Sequence, residues 1–324
     1  MSSAPIHPPS DSAIAAAAAA LRAGELIAMP TETVYGVACD ATNAEAIARL
    51  YAAKGRPHFN PLIAHVPSLA SAHHEGVFDR RALALAEQCW PGPLTLVLPV
   101  QRAGRVAELA RAGLDSIALR VPAHPVAQAL LNAFEGPVAA PSANRSGRLS
   151  PTRSVDVATE LGDALTLILD GGEPRVGLES TIVAALPDAP LRILRPGAFD
   201  APTLSAIAGE PVHEQASDDT SIVAPGQLSS HYAPNASVRL NATHAEDSEV
   251  LLGFGPDVPP GATNLSPGGD TTEAAAKLYR LLRELDATGA QTIAVMPIPN
   301  EGLGVAINDR LRRAAAPRPV EGEP

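Results

Sequence analysis

The length of the apolar runs decides most about what this chain can fold into. Between residues 26 and 194 they come as pieces of three to six residues, at 26–29, 62–66, 94–98, 117–121, 138–140, 165–170, 181–184 and 191–194. Runs this short match buried strands rather than buried helices. Helical periodicity fills several of the gaps: a segment from a cap at Ser10 or Asp11 to Gly24, a second over 43–54, and others over 80–89 and 125–134. In places two strands follow each other with no helix between them. The expectation is therefore an α/β domain on a mixed sheet, not a purely parallel one.

Composition narrows the function. Aromatic residues are 3% of the 324, so the core must be aliphatic and alanine-rich, and a stacking platform for single-stranded nucleic acid is hard to build. The net charge is −11, with 16 basic and 19 acidic groups in residues 1–200 and 8 and 16 beyond. An acidic chain argues for a small anion held locally and against a broad nucleic-acid footprint. Only two basic residues are lysines, Lys54 and Lys277, which marks Lys54 either as a group with a task arginine cannot perform or as a chance placement. Cys39 and Cys89 lie 50 residues apart without a C-x-x-C partner, which fits a reducing, cytoplasmic setting. The apolar stretch 13–21 follows Asp11, lacks a basic lead and is too short to span a bilayer.

Three segments are expected: a large α/β unit over 12–200, a linker over 201–236, and a smaller Rossmann-like α/β unit over 237–324, with residues 1–10 frayed. The small unit shows strands at 237–240, 250–254 and 292–296 and helices at 271–285 and 305–313. The linker turns acidic through Asp219 and ends in Pro225-Gly226 and Ala233-Pro234.

Standard nucleotide and hydrolase signatures are missing. There is no G-x-x-x-x-G-K-[ST], no G-x-S-x-G and no H-E-x-x-H, and the G-x-G pieces at Gly253 and Gly302 lack a third glycine. Polar groups at element ends remain. Thr42 and Glu45 give a capping-box signature for the helix over 43–54, which ends at Lys54-Gly55 before Arg56-Pro57 and Asn60. That cluster reads either as a phosphate clamp or as basic residues facing a helix dipole at an exposed C-terminus. His65 reads either as a ligand or as a satisfied core histidine. The run from Pro141 to Gly147 follows a strand, where open α/β sheets bind ligands, and also reads as a plain turn.

Taken in order, Pro30-Thr31-Glu32-Thr33-Val34-Tyr35-Gly36, Lys54-Gly55-Arg56-Pro57 with Asn60-Pro61-Leu62, His65, Ser142-Ala143-Asn144-Arg145-Ser146-Gly147, Glu179-Ser180-Thr181 and Arg195-Pro196-Gly197 resemble the YrdC-type threonylcarbamoyl-AMP synthases. Pro225-Gly226 and His231-Tyr232-Ala233-Pro234 are similar to the linker of two-domain members, although Gln227 and Leu228 stand where that linker carries Met and a basic residue.

The resemblance implies a twisted open sheet with a concave active site. It implies synthesis of threonylcarbamoyl-AMP and pyrophosphate from L-threonine, bicarbonate or CO2, and ATP, for modification of tRNA adenosine 37. Thr33, Tyr35, His65, Arg120, the Ala140 backbone and Ser180 would hold threonine. Arg56, Asn60, Ser116, Ser142, Asn144, Ser150 and Arg195 would hold ATP, with Tyr232 closing over it as part of a lid. Lys54 and Arg56 would act as catalytic charge stabilisers, helped by Arg195 and by Mg²⁺ carried with ATP, and no protein metal ligand is implied. The expected partners are the three substrates and a tRNA threonylcarbamoyl transferase, with direct tRNA binding weak or absent and no membrane contact. Two other readings are a noncatalytic module for double-stranded RNA or tRNA, and a carbamoyl-phosphate-using transferase. No extension of the kind fused to the latter is visible.

Overall fold

A computed structural model describes residues 3–214 and 231–317. The large unit runs β1 (Ile6–His7), α1 (Asp11–Arg22), β2 (Ile27–Met29), β3 (Gly36–Asp40), α2 (Ala44–Lys54), β4 (Ile63–His65), α3 (Leu69–Ala72), α4 (Arg80–Cys89), β5 (Leu94–Pro99), β6 (Ser116–Arg120), α5 (Pro125–Phe134), β7 (Val138–Ala139), α6 (Ser154–Leu161), β8 (Leu167–Leu169), β9 (Thr181–Ala184), β10 (Leu191–Arg195), α7 (Ala201–Ala208) and β11 (Val212–Glu214). Its strands form one sheet in the order β1-β8-β2-β3-β7-β4-β6-β5-β9-β10-β11. The sheet is mixed, as expected: β4 and β6 run parallel, whereas β7 runs antiparallel to both β3 and β4.

Alternation along each strand builds two faces. On one face Ala28, Val37, Cys39, Ala64, Leu96, Leu119 and Val183 pack under α2 and α4. On the other, Ile27, Met29, Ala38 and Val138 pack under α1 and α5, whose buried stripes are Ala17, Leu21, Ala127, Leu130 and Leu131. Those two helices cover only part of that face. Over β4, β6, β5 and β9 it carries the small cluster of Ile63, Val97, Ala118, Ile182 and Ala184 and then turns polar.

The second unit comprises β12 (Ser237–Arg239), β13 (Glu249–Gly253), β14 (Thr263–Asn264), α8 (Thr271–Asp286), β15 (Thr292–Val295) and α9 (Leu303–Ala315). Its sheet is parallel, in the order β12-β15-β13-β14. The two units share an apolar cluster, in which Val34, Leu149 and Leu178 of the large unit pack with Leu278, Tyr279, Leu282 and Ile307. Gly177 makes this contact possible. Its φ is +74°, and a Cβ there would stand 2.5 Å from both the Ala275 carbonyl oxygen and the Ala276 Cα.

Several expectations are corrected. Residues 1–10 are not simply frayed: Ile6 pairs with Ile168, and the Ala4 amide donates to the Gly162 carbonyl at 3.0 Å, because β8 would otherwise leave an open edge. Asn43, not Thr42, caps α2, its Oδ1 accepting from the amides of Glu45 and Ala46, while Thr42 turns to Asp40. Residues 201–214 are not linker, because α7 leads into β11 and β11 pairs with β10, extending the large sheet. Pro225-Gly226, Gln227 and Leu228 lie outside the described residues. Strand β3 and helix α6 are additional elements that the sequence reading does not include.

The Gly177→Ala variant is expected to lose about 2 kcal/mol or more, since the left-handed backbone alone costs about 1–2 kcal/mol for a residue with a Cβ and the new methyl meets backbone. Urea denaturation checks this, and a midpoint equal to wild type would show that the units do not approach there.

Candidate active site

Strand register assembles the polar end of the open face. His65 lies opposite Val138 across β4 and β7 and beside Arg120 across β4 and β6, so both side chains stand on the face left uncovered by α1 and α5. Ser180 precedes β9 by one residue and shares the side of Ile182, and its Oγ lies 2.7 Å from Thr95 Oγ1. Arg195, at the end of β10 beyond a register shift, donates from Nε to the Ser180 carbonyl and from a terminal nitrogen to Ser180 Oγ, both at 3.1 Å.

The cleft so formed is lined by Thr33, Arg56, His65, Arg120, Ala140, Ser142, Ser180 and Arg195, joined by His231 and Tyr232. These came from separate sequence segments and the fold brings them together. The other assigned residues take different places. The Tyr35 hydroxyl accepts from the Gly171 amide and lies 2.9 Å from the Gly172 carbonyl and 3.1 Å from Asp170 Oδ1, so it braces the loop after β8 rather than lining the cleft. Asn144 donates from Nδ2 to the carbonyls of Arg145 and Arg148, at 2.7 and 2.9 Å, and holds the turn that contains Gly147. Ser150 donates to Glu179 at 2.5 Å. Ser116 is half-buried at the opposite end of β6 from Arg120 and is not among the lining residues.

Lys54 and Arg56 do not stand at an exposed helix end. They are 3% and 7% exposed. Lys54 Nζ donates to the backbone carbonyls of Ser142 and Asn144, tying the end of α2 to the loop after β7. Burial, with Arg56 adjacent, depresses its pKa well below the lysine range. Arg56 donates to the Asn60 carbonyl at 3.1 Å, to Asn60 Oδ1 at 2.6 Å and to the Pro61 carbonyl at 2.9 Å, which folds the Lys-Gly-Arg-Pro loop around its guanidinium. Burial brings it down to about 10.

Two acidic residues inside the quoted motifs, Glu32 and Glu179, had been given no role. Glu32 accepts from Arg120 at 2.7 Å and from the Ala123 amide at 3.0 Å, so the Arg120 guanidinium is oriented by a carboxylate before any ligand arrives. Burial pushes Glu179 upward, but the charges of Arg310 and Arg195 and the hydrogen bond from Ser150 outweigh it and hold the carboxyl at about 2. Arg195 belongs to a quoted motif, but Arg310 is invisible to motif reading because it is supplied by the second unit.

His231 and Tyr232 lie across the cleft. The Ala233 amide donates to the Gly147 carbonyl at 2.8 Å, Tyr232 adopts a φ of 61°, and its ring lies 5.2 Å from the Arg310 guanidinium. The His231 ring stands edge-on to Tyr232 at 4.1 Å. With both in place the cavity is about 40 Å³, room for roughly one water. His65 Nδ1, Asn60 Nδ2 and His231 Nδ1 are buried without a protein hydrogen-bond partner, the pattern left where polar groups await water or a ligand.

Two family profiles match the chain: "Telomere recombination" (Sua5_yciO_yrdC) over residues 19–197, and "Threonylcarbamoyl-AMP synthase, C-terminal domain" over 200–316. A threonylcarbamoyl-AMP synthase of Pyrococcus abyssi is 38% identical over 94% of this chain and 94% of its own length. One of Bacillus subtilis is 35% identical over 96% and 95%. The crystal structure of P. abyssi Sua5 complexed with L-threonine superposes with a TM-score of 0.87 at 34% identity, covering 97% of this chain and 98% of that one. The chain belongs to the two-domain, YrdC-type threonylcarbamoyl-AMP synthases, enzymes of the nucleotidyltransferase reaction class.

Proposed function

We propose that this enzyme makes L-threonylcarbamoyl-AMP and pyrophosphate from L-threonine, bicarbonate or CO2, and ATP, and that a tRNA threonylcarbamoyl transferase consumes the product in modifying adenosine 37. The observation that carries the reading is the meeting of Arg120, His65 and Ser180 with Arg56, Ser142 and Arg195 in one cleft. Arg120 offers a fork for the amino-acid carboxylate, and its contact with Glu32 fixes the angle of that fork. His65 is neutral, held at about 3 by burial and by the Arg120 charge, so its Nδ1 serves the amino or hydroxyl group of threonine without adding charge. The P. abyssi relative crystallised with L-threonine supports placing the amino acid here.

The chemistry then needs no covalent intermediate. The deprotonated threonine amine adds to CO2 and releases its extra proton to solvent to give a carbamate, whose oxygen attacks the α-phosphorus of ATP while pyrophosphate leaves. Negative charge grows on the phosphates, and Arg56 and Arg195 are the cleft cations placed to meet it. Lys54 contributes indirectly, by pinning the loop that carries Ser142. Mg²⁺ is taken to travel with ATP and to offset phosphate charge. Among the described residues no three His, Cys, Asp or Glu side chains gather to hold an ion. A cavity of about 40 Å³ is far below the ~300–1,000 Å³ of small-molecule sites. On this reading His231 and Tyr232 shift when nucleotide enters, and Tyr232 then covers it and excludes water from the adenylate. Among the described residues no helix is long and apolar enough to cross a membrane.

Mass spectrometry of a mixture with threonine, bicarbonate, ATP and Mg²⁺ is expected to show threonylcarbamoyl-AMP. Salt-sensitive tRNA binding without product would favour the RNA-module reading instead. Ser180→Ala and His65→Ala are expected to raise the threonine KM about tenfold, with less effect on ATP. Equal weakening of both substrates would move these side chains out of the amino-acid pocket. Arg56→Ala is expected to cut pyrophosphate release. Unlike a surface substitution, it also frees the buried Asn60 and Pro61 acceptors, costing about 1–3 kcal/mol for each one left unsatisfied.

A pH dependence follows from the same histidines. His65 and His231 are both held at about 3 by burial, against about 6.5 in an unfolded chain. The unfolded state therefore binds more protons than the folded state between these values, and stability is lost as pH falls through 6.5 toward 3. Each histidine contributes on the order of 1 kcal/mol per pH unit. Denaturation at pH 7 and at pH 5 is expected to show this decline, and His231→Gln to reduce it. An identical slope in the variant would remove His231 from the account.

A further inference from the structure

We propose that Arg310 and Tyr279 of the second unit are positioning residues of the active site: they hold the Glu179 carboxylate so that its neighbour Ser180 presents its hydroxyl to the amino-acid substrate. This rests on the assignment of Ser180 to threonine made above.

The geometry of the Glu179-Ser180 pair is fixed less by sheet pairing than by side chains. Both residues precede β9, in a stretch from Asp170 to Ser180 that has no helix or strand. Ser180 is gripped from the large unit, by Thr95 at 2.7 Å and by Arg195 at 3.1 Å. Glu179, 5% exposed, is gripped largely from the other side. Its Oε2 accepts from Arg310 Nε at 2.8 Å, and the Tyr279 hydroxyl lies 3.1 and 3.0 Å from its two oxygens. Among the described residues Ser150 supplies the one side-chain hydrogen bond to it from the large unit, at 2.5 Å. One peptide unit is thus held between two domains.

Docking alone does not account for these contacts. The apolar cluster around Leu178, Leu278 and Leu282 already joins the units. A buried ion pair adds little net stability compared with apolar residues of similar size, whereas removing one partner leaves an uncompensated charge. What the Arg310 pair supplies is direction. Its guanidinium also bonds Asp309 at 2.7 Å and lies 5.2 Å from the Tyr232 ring, so its orientation is itself fixed from two sides.

The test is calorimetric binding of L-threonine to the full chain without nucleotide, which reads the pocket separately from turnover. Tyr279→Phe is expected to weaken threonine about threefold and Arg310→Gln about tenfold or more, with Arg310→Lys in between because it restores a donor but not the fork; the first deletes a hydrogen bond from a neutral hydroxyl to the carboxylate, the second one from a charged guanidinium. Glu160→Ala removes the 3.0 Å ion pair with Arg283 elsewhere on the same interface and is expected to bind as wild type. Ser180→Ala calibrates the assay. If it weakens threonine while Tyr279→Phe and Arg310→Gln bind normally, the positioning role is wrong and the pocket stands. If Ser180→Ala itself binds normally, the pocket assignment falls and the proposal with it. Equal losses in Glu160→Ala and Arg310→Gln would reduce the effect to general docking and overturn it. Should Arg310→Gln fail to fold, Tyr279→Phe decides, since it deletes one oxygen and keeps the ring.

Discussion

A carboxylate taken out of water must be matched or it will not stay ionised, and Glu179 imposes that condition on both halves of the molecule. Ser150 comes from the loop before α6, Tyr279 from α8 and Arg310 from α9. Arg195 adds its charge from β10. None of these groups could be withdrawn without leaving a buried charge short of partners. Glu179 thus ties the two units at a buried charge, with the apolar cluster and ion pairs such as Arg283–Glu160 around it. Tyr232, under the Arg310 guanidinium, is brought into the same arrangement.

The sheet provides the second constraint. Because partners in register point to the same side, Val138, His65 and Arg120 form a row that passes from beneath helices into the open cleft. Cover ends where polarity begins. Ala140 is the small residue of the cleft lining, beside Arg56, Arg120 and Arg195. Glycine has one decisive part in this scheme, at Gly177, where the chain turns left-handed against α8 and so brings Leu178 and Glu179 to the second unit.

Much of this was legible in the sequence. Helices over 80–89 and 125–134 and the strand over 181–184 stand where the apolar pattern puts them, because each is a local element whose buried stripe is written into its own residues. Edge strands were harder: β1 and β11 are short, exposed in part, and exist because β8 and β10 offer them an edge. The cleft residues could be named through the order of their motifs, yet their surroundings could not. Lys54 and Arg56 read as exposed because helix ends usually are, and only the loop after β7 folding onto α2 buries them. The pairing of Arg120 with Glu32 spans 88 positions, and that of Arg310 with Glu179 spans 131. No spacing rule reaches that far.

The burial of Lys54 also changes how this chain meets amine-directed chemistry. Its only other lysine, Lys277, keeps about a third of its side chain exposed on α8, beside Glu273. A reagent that seeks accessible side-chain amines therefore finds one address, on the second unit and two residues before Tyr279. A dye or cross-linker placed there would report on the helix that faces Glu179 without touching the cleft, in a protein that needs no residues removed to make the labelling selective.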